Sequence, residues 1–287
     1  MPGLDSLITV PQYLAPHHAL SRLAWRIARI ENPVIKSSLI GAFLKCYDVA
    51  LEEAERPRAA DYASFNDFFT RALQPGTRPL PDNQSIIVSP ADGAISQVGQ
   101  IHHSTLLQAK GQHYSVAALL AGDTVLAKKF TDGVFATIYL APHNYHRVHA
   151  PFGGKVTNVR YVPGRLFSVN HRTARAVDNL FARNERIVVE LDTAYGSVAV
   201  ILVGAMLVAS MELTMCDVPR AMLNAGTTRS PYVVEPSPDY GDIMRGAELG
   251  RFNMGSTVIV LGERDAWEWL PDLRHGTTLR MGQALSR

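Results

Sequence analysis

Three histidines recur at steps of three in Ala141-Pro-His143-Asn-Tyr-His146-Arg-Val-His149-Ala-Pro151. Imidazoles commonly ligate zinc, and their ordinary pKa of ~6.5 equally suits general acid–base work. No neighbouring carboxylate or thiolate completes a metal set, and there is no His-Glu-x-x-His pattern. Flanking prolines argue against one continuous helix presenting all three rings. A polar loop whose histidines only hydrogen-bond is the third reading, and the residues alone leave the three open. A second segment, Ser89-Pro-Ala-Asp92-Gly93, places a carboxylate on a turn entering a strand. Turn chemistry accounts for it when it is taken alone. A third, Gly250-Arg-Phe-Asn-Met-Gly255-Ser256-Thr257-Val-Ile-Val260, leads a glycine and two hydroxyls into an apolar strand. It is not a Gly-x-Ser-x-Gly elbow, and by itself it reads as a bulge or turn. Gly255 does permit backbone geometry closed to other residues.

The rest of the chain must position these groups. It has 287 residues, 47% hydrophobic and 19% charged, enough for one large domain or one domain with an appendage. A formal charge of +2 is too small to point to nucleic acid. The two cysteines, Cys46 and Cys216, form no Cys-x-x-Cys pair and are expected as buried thiols in a reducing compartment. There is no Walker motif or dinucleotide fingerprint, and no secretory signal pattern. The longest apolar stretch, 198–209, is shorter than the ~20 residues a spanning helix needs and reads as a buried strand.

Up to about residue 80 the pattern is helical. Leu20, Leu23, Ala24, Ile27 and Ile30 share one face, with Arg22, Arg26 and Arg29 opposite and Trp25 near the boundary. After Pro33 a second helix is expected through Leu39, Ile40, Phe43, Leu44, Tyr47 and Leu51. A third is expected from the N-cap Ser64, with Asp67 three residues on, through Phe65, Phe68, Phe69 and Leu73 to Pro75-Gly76. Beyond Pro81, segments rich in Val, Ile, Thr and Tyr alternate with turn residues: 86–88, 93–98, 133–139, 155–162, 185–191, 198–209 and 257–261. Residues 229–242 read as a loop. The expected fold class is α+β: amphipathic N-terminal helices (1–80), then a β-rich, mainly antiparallel catalytic domain (81–287). Regular βα alternation is absent, which excludes Rossmann and TIM architectures.

Taken together, the segments resemble the phosphatidylserine decarboxylase family in its shorter bacterial form. The resemblance rests on Phe68-Phe69-Thr-Arg71, Ser89-Pro-Ala-Asp92-Gly93 and Lys110-Gly-x-x-Tyr114-Ser115. It continues through Tyr145-His146-Arg147-x-His149-x-Pro151 and Gly246-Ala-Glu-Leu-Gly-Arg-Phe-x-x-Gly255-Ser256-Thr257-Val258. Each piece is weak alone, and their order is specific. The resemblance implies a precursor that cuts itself between Gly255 and Ser256 into a beta chain (1–255) and an alpha chain (256–287). Ser256 then becomes a covalent pyruvoyl group, with Asp92, His149 and Ser256 as the processing triad. It further implies turnover through an imine with phosphatidylserine, yielding phosphatidylethanolamine and CO2, with His146 as proton donor or positioning group. Many relatives carry Asp where this chain has Asn144, which bears on rate and pH optimum.

A lipid substrate gives the N-terminal quarter a role at the membrane surface, peripheral and on the cytoplasmic side. An ordinary helix packing its apolar face on the β domain, or on a second subunit in a homodimer, is the plain alternative. The remaining rivals are a pyruvoyl-dependent decarboxylase of a soluble amino acid, a non-enzymatic lipid-binding β scaffold, and a histidine-ligated metallohydrolase.

Overall fold

The computed structural model describes the chain except residues 1–3, 110, 207–209, 217–229, 235–240 and 254–255, and describes 4–8 by backbone alone. The expectations on Lys110, Met254 and Gly255, on half of the 229–242 loop and on the end of the 198–209 strand therefore lie outside the described residues.

Four helices come first: α1 (Leu4–Leu14), α2 (His17–Ala28), α3 (Pro33–Cys46) and the short α4 (Phe65–Phe69). Asn32 caps α3, its side chain accepting from the Val34 and Ile35 N–H groups, with Pro33 at the first helical position. Ser64 caps α4 through the Asp67 N–H at 3.2 Å, and Asp67 reaches back to the Ala63 N–H at 2.9 Å. The expected third helix is shorter than its apolar pattern. It stops at Phe69, and Leu73 instead forms an antiparallel bridge with Ala54.

The rest is strand-rich: β1 (Gly93–Gln100), β2 (Thr105–Ala109), β3 (Gln112–Ser115), α5 (Val116–Leu119), α6 (Thr124–Lys129), β4 (Val134–Leu140), β5 (Arg147–His149) and β6 (Gly154–Val162). There follow α7 (His171–Ala176), α8 (Leu180–Arg183), β7 (Arg186–Thr193), β8 (Gly196–Val203), β9 (Met211–Leu213), β10 (Tyr232–Val233), β11 (Asp242–Ile243), β12 (Glu248–Phe252), β13 (Ser256–Gly262) and β14 (Thr278–Leu279). A nine-stranded antiparallel sheet runs β10-β6-β7-β8-β13-β4-β1-β14, with β11 also on β6. A three-stranded sheet, β5-β12-β9, stands beside it. The α+β class and six of the seven expected strands are present. The seventh, 86–88, is reduced to a bridge between Val88 and Ala284.

β8 and β13 are apolar because both their faces are covered. Val198 to Val203 and all of β13 are buried. Ser256 is therefore the first residue of a central strand, paired with Leu140 of β4. Gly93 opens β1 on the other side of β4, and a Cβ there would lie 2.4 Å from the Tyr139 carbonyl oxygen. The Asp92-Gly93 step thus serves close strand approach rather than a tight turn. It brings the starts of β1 and β13 to the same end of β4, about 10 Å apart across two strand spacings.

Apolar side chains form two clusters. One fills the β region from Ile87 to Leu285, and the other joins Ala28, Ile40, Val49, Tyr62, Phe65, Phe68 and Phe69. Neither cysteine is a buried thiol as expected: Cys46 is exposed at the last turn of α3, and Cys216 is half-buried.

Candidate active site

The loop from β4 to β5 carries the histidines, and it turns on Asn144. The Asn144 side-chain oxygen accepts the Ala141 N–H at 2.7 Å. This residue caps the turn of the loop, which a short acceptor side chain does well. The three histidines then diverge. His143 is exposed. His146 is fully buried and stacks on Phe69, ring centroids 4.1 Å apart and planes 18° apart. Its Nε2–H donates to the Pro142 carbonyl at 3.2 Å, and Nδ1 has no partner among the described residues. Burial pushes its pKa down to about 3, with the charges of Arg71 and His143 acting the same way. His146 is thus a neutral imidazole with a free lone pair on Nδ1.

His149, on β5, is also buried and neutral. Burial lowers its pKa, while the Gly246 carbonyl and the charges of Glu248 and Asp92 oppose the shift. Its Nδ1–H donates to the Gly246 carbonyl at 2.8 Å, and its Nε2 accepts the Tyr145 hydroxyl at 2.9 Å. Its backbone N–H bonds the Pro90 carbonyl at 2.8 Å, which ties β5 to the segment carrying Asp92.

Asp92 is buried, and its carboxylate is fully engaged. Arg78 donates from Nε at 3.0 Å and from Nη2 at 2.5 Å, and the Met281 N–H donates at 2.7 Å. Arg78 also holds Glu53 at 2.8 Å. The structure therefore sets His149 beside the Asp92 segment without a direct hydrogen bond between their side chains, while Ser256 stands across β4 and is hydrogen-bonded through its side chain to neither. The Gly246 carbonyl orients the imidazole, and Asp92 acts on it through space. Ser256 is fully buried, and among the described residues its hydroxyl has no partner, as is true of the neighbouring Thr257 hydroxyl. An unpaired buried hydroxyl is costly, so its presence at the start of a central strand calls for a chemical reason.

Three spaces adjoin these residues. A polar cavity of about 240 Å³ is lined by Arg71, Arg78, Asp92, Asn144, Tyr145 and Arg280. A smaller one of about 140 Å³ lies against Tyr139, Leu140, Pro142, Ser168, Asn170 and Ala205, beside the strand partner of Ser256. An apolar groove of about 400 Å³ runs between α2, α3 and α4 past Ile27, Leu39, Phe43, Tyr47 and Phe65. Phe43 packs on Phe69 at 5.9 Å, so two ring contacts link the groove to His146. Among the described residues no three His, Cys, Asp or Glu side chains converge as a metal set would.

Sequence reasoning named Asp92, His146, His149 and Ser256 but gave no part to Arg78 or the Tyr145 hydroxyl. Tyr145 stood inside the histidine segment and could have been found there. The Gly246 carbonyl, 97 residues from His149, carries no side-chain signal.

Helices thus stand on an open antiparallel sheet whose central strand starts at a buried serine, and comparison with known proteins gives this arrangement its class. A family model described as "Phosphatidylserine decarboxylase" matches residues 65–287, and one described as "PSD" matches residues 7–48. The chain is 47% identical over 282 residues to a phosphatidylserine decarboxylase proenzyme of Psychrobacter arcticus, covering 98% of each chain. It is 46% identical to the like-named protein of Bordetella pertussis, covering 100% of this chain and 96% of that one. With the proenzyme of Acinetobacter baumannii the identity is 47%, covering 96% and 93%. This chain belongs to the phosphatidylserine decarboxylase family, and it is a carboxy-lyase.

Proposed function

We propose that this protein converts phosphatidylserine to phosphatidylethanolamine and CO2 at a pyruvoyl group made from its own Ser256. The observation that carries the reading is the Ser256 hydroxyl, sealed and unpartnered at the first position of β13. In self-processing the Ser256 Oγ attacks the carbonyl carbon of Gly255. The peptide C–N bond breaks, and an ester replaces it. Elimination across Cα–Cβ of residue 256 frees the Gly255 carboxylate, and water releases ammonia from the remaining enamine, leaving a ketone. His149 suits the base role, because its proton sits on Nδ1 and its lone pair on Nε2; that lone pair accepts the Tyr145 hydroxyl, so the tyrosine must relay the proton or turn aside. Asp92, clamped by Arg78, supports a transient positive charge on that ring. The alpha chain 256–287 is expected to stay in place, since β13 is hydrogen-bonded to β4 on one side and β8 on the other.

The ketone would supply an electron sink for the carboxylate's departure. The burial of position 256 fits it, because the site excludes water. His146, uncharged, offers its Nδ1 lone pair to a proton-bearing group of the substrate, so holding and moving a proton there is favoured over donation from a standing imidazolium. Asn144, bonded to the Ala141 N–H, serves loop shape rather than the charge of His146.

A lipid substrate is favoured over a soluble amino acid by the groove between α2, α3 and α4, whose size and apolar walls suit an acyl chain. It is also favoured by the outward apolar face of the N-terminal helices, which reads as a peripheral membrane-associating region spanning 1–80. No helix among the described residues is long and apolar enough to cross a membrane.

The test is intact mass and lipid turnover on purified protein. Wild type should run as two pieces, 1–255 and 256–287, the smaller blocked at its N-terminus. Ser256→Ala should remain one inactive chain. An active, uncut wild type or an active Ser256→Ala would overturn the reading.

A further inference from the structure

The loop that carries His146 is held from outside by one short helix. Phe69, the last residue of α4, lies flat on the imidazole at 4.1 Å. The next carbonyl, Thr70, accepts the Arg147 Nε–H at 3.0 Å. The residue after that, Arg71, donates from Nη2 to the carbonyls of His143 at 3.1 Å and Asn144 at 3.4 Å. Three consecutive residues thus grip the loop before, at and after the histidine. The grip is rigid on the helix side, because Phe68, Phe69 and Arg71 are all buried and Phe43 wedges against Phe65, Phe68 and Phe69.

From this geometry we infer that Phe69 and Arg71 are positioning residues for decarboxylation, fixing the plane of the His146 ring and so the direction of its free Nδ1. The inference rests on the reading that His146 acts in turnover. It adds that the helical region reaches into the chemistry through α4, which is distinct from any part in membrane contact. A flat phenyl face keeps water off the imidazole. The groups facing the ring otherwise are the Arg71 guanidinium from α4, His143 from its own loop, and the Ala141 and Pro142 carbonyls. The Arg71 charge disfavours an imidazolium, and the carbonyls cannot supply the hydration a charged ring needs. Loosening the stack should therefore both misaim Nδ1 and let the ring take a proton. A displacement of ~1 Å in a reacting group can cost ~10²-fold in rate.

The experiment compares wild type, Phe69→Leu, Phe69→Tyr, Arg71→Gln and His146→Ala as purified self-cleaved enzymes on phosphatidylserine in mixed detergent micelles. Leucine keeps an apolar side chain but has no ring to stack, and tyrosine restores the ring. Phe69→Leu should cleave as fully as wild type and keep KM within about twofold, while kcat falls roughly 10- to 100-fold. Its kcat should drop further between pH 7 and 5, as the hydrated ring's pKa returns toward ~6.5, whereas wild type should show no such limb from His146. In ¹⁵N-histidine spectra the His146 nitrogens should titrate in that window in Phe69→Leu and not in wild type. Phe69→Tyr should recover wild-type kcat and pH profile. Arg71→Gln should cleave with reduced kcat, and it carries the test if Phe69→Leu fails to fold. Wild-type kcat and an untitrating His146 in Phe69→Leu, with His146→Ala inactive, would overturn the positioning role alone. A fully active His146→Ala would overturn the reading beneath it.

Discussion

The central strands and helix α2 bury different kinds of side chain. In β8 and β13 the rule is ordinary: Val198 to Val203 and Val258 to Leu261 are sealed, and their backbones are spent in the ladder. In α2 the order is inverted. His17, Ser21 and Ala28 face the protein, while Leu23 is 54% and Ile27 39% exposed. Leu14 at the end of α1 is 86% and Val34 at the start of α3 74% exposed. What seats α1 and α2 is polar. The Gln12 side-chain oxygen accepts the Ser168 N–H at 3.0 Å, His17 Nδ1 accepts the Leu166 N–H at 3.2 Å, and His18 bonds the Gly164 carbonyl at 3.0 Å. Side chains of two helices thus satisfy backbone groups of one extended segment, as a neighbouring strand would. A helix that spends hydrogen bonds on its protein side and keeps its apolar side outward is arranged for an apolar medium that is not the protein core.

The junction between the regions holds the largest expected effect. Glu185, just before β7, is almost wholly buried with His18 Nδ1 3.9 Å away, and burial raises its pKa from 4.5 to about 8. The unfolded chain releases this proton near pH 4.5, and the folded chain keeps it until about pH 8. The contribution of Glu185 to stability should therefore be full below pH 4.5, fall as pH rises to about 8, and level off above. The ceiling on this loss is ~5 kcal/mol, at 1.36 kcal/mol per pKa unit. Glu185→Gln should flatten that slope in guanidinium unfolding of the uncut Ser256→Ala chain. An unchanged pH dependence would remove Glu185 from the account of the junction.

Next comes the contrast between the faces. Ile259→Ala, deep in β13, should cost about 3 kcal/mol by cavity formation. Leu23→Ala on α2 should stay within ~0.5 kcal/mol, since an exposed side chain loses little burial. The same unfolding series measures both, and comparable losses would mean that Leu23 is packed in solution.

Much of this contrast was legible in part. Valine-rich runs bounded by turn residues marked the strands, because a strand buried on both faces has only one way to look. The stripe of Leu20, Leu23 and Ile27 marked a helix face, but periodicity says that a face exists and not what it meets. Trp267 to Leu270, aromatic and apolar as a strand would be, makes only a bridge at Trp269. The Trp267 ring fills the space over Gly262, where a Cβ would lie 2.2 Å from it, and that packing need is not periodic. Asp92, His146, His149 and Ser256 were named through their segments. Their partners were not, because Gly246 contributes a carbonyl and Arg78 is one arginine among many.

The outward face itself can be broken. Replacing Leu14, Leu23 and Val34 with serine should leave folding and self-cleavage intact and weaken binding to phosphatidylglycerol-containing vesicles by on the order of 2–3 kcal/mol, as apolar area is lost from the interface. Turnover of detergent-dispersed substrate should hardly change. Wild-type vesicle sedimentation by the triple variant would return this face to plain solvent.

The smallest effect concerns charge. Arg22, Arg26 and Arg29 looked equivalent in the sequence, yet the structure separates them. Arg29 is half-buried, bonded to Glu212 at 3.1 Å and stacked over Trp25 at 4.5 Å, so it is committed to the protein. Arg22 and Arg26 are exposed on the same helix as Leu23 and Ile27. Basic residues near an anionic surface contribute ~1 kcal/mol each, and the attraction dies within a Debye length of ~8 Å at physiological salt. Arg22→Glu with Arg26→Glu should therefore weaken vesicle binding by ~2 kcal/mol or somewhat more at low salt, and by much less near 0.5 M. Arg29→Gln should instead lower thermal stability, because it removes the charged hydrogen bond to Glu212 and leaves that carboxylate with Asn253 and a 4.0 Å contact to Arg251, and should leave the salt dependence of binding as it was. If Arg29→Gln shifts the salt dependence while the double variant does not, the assignment of steering to Arg22 and Arg26 is wrong, and the ion pair with Glu212 must open at the membrane.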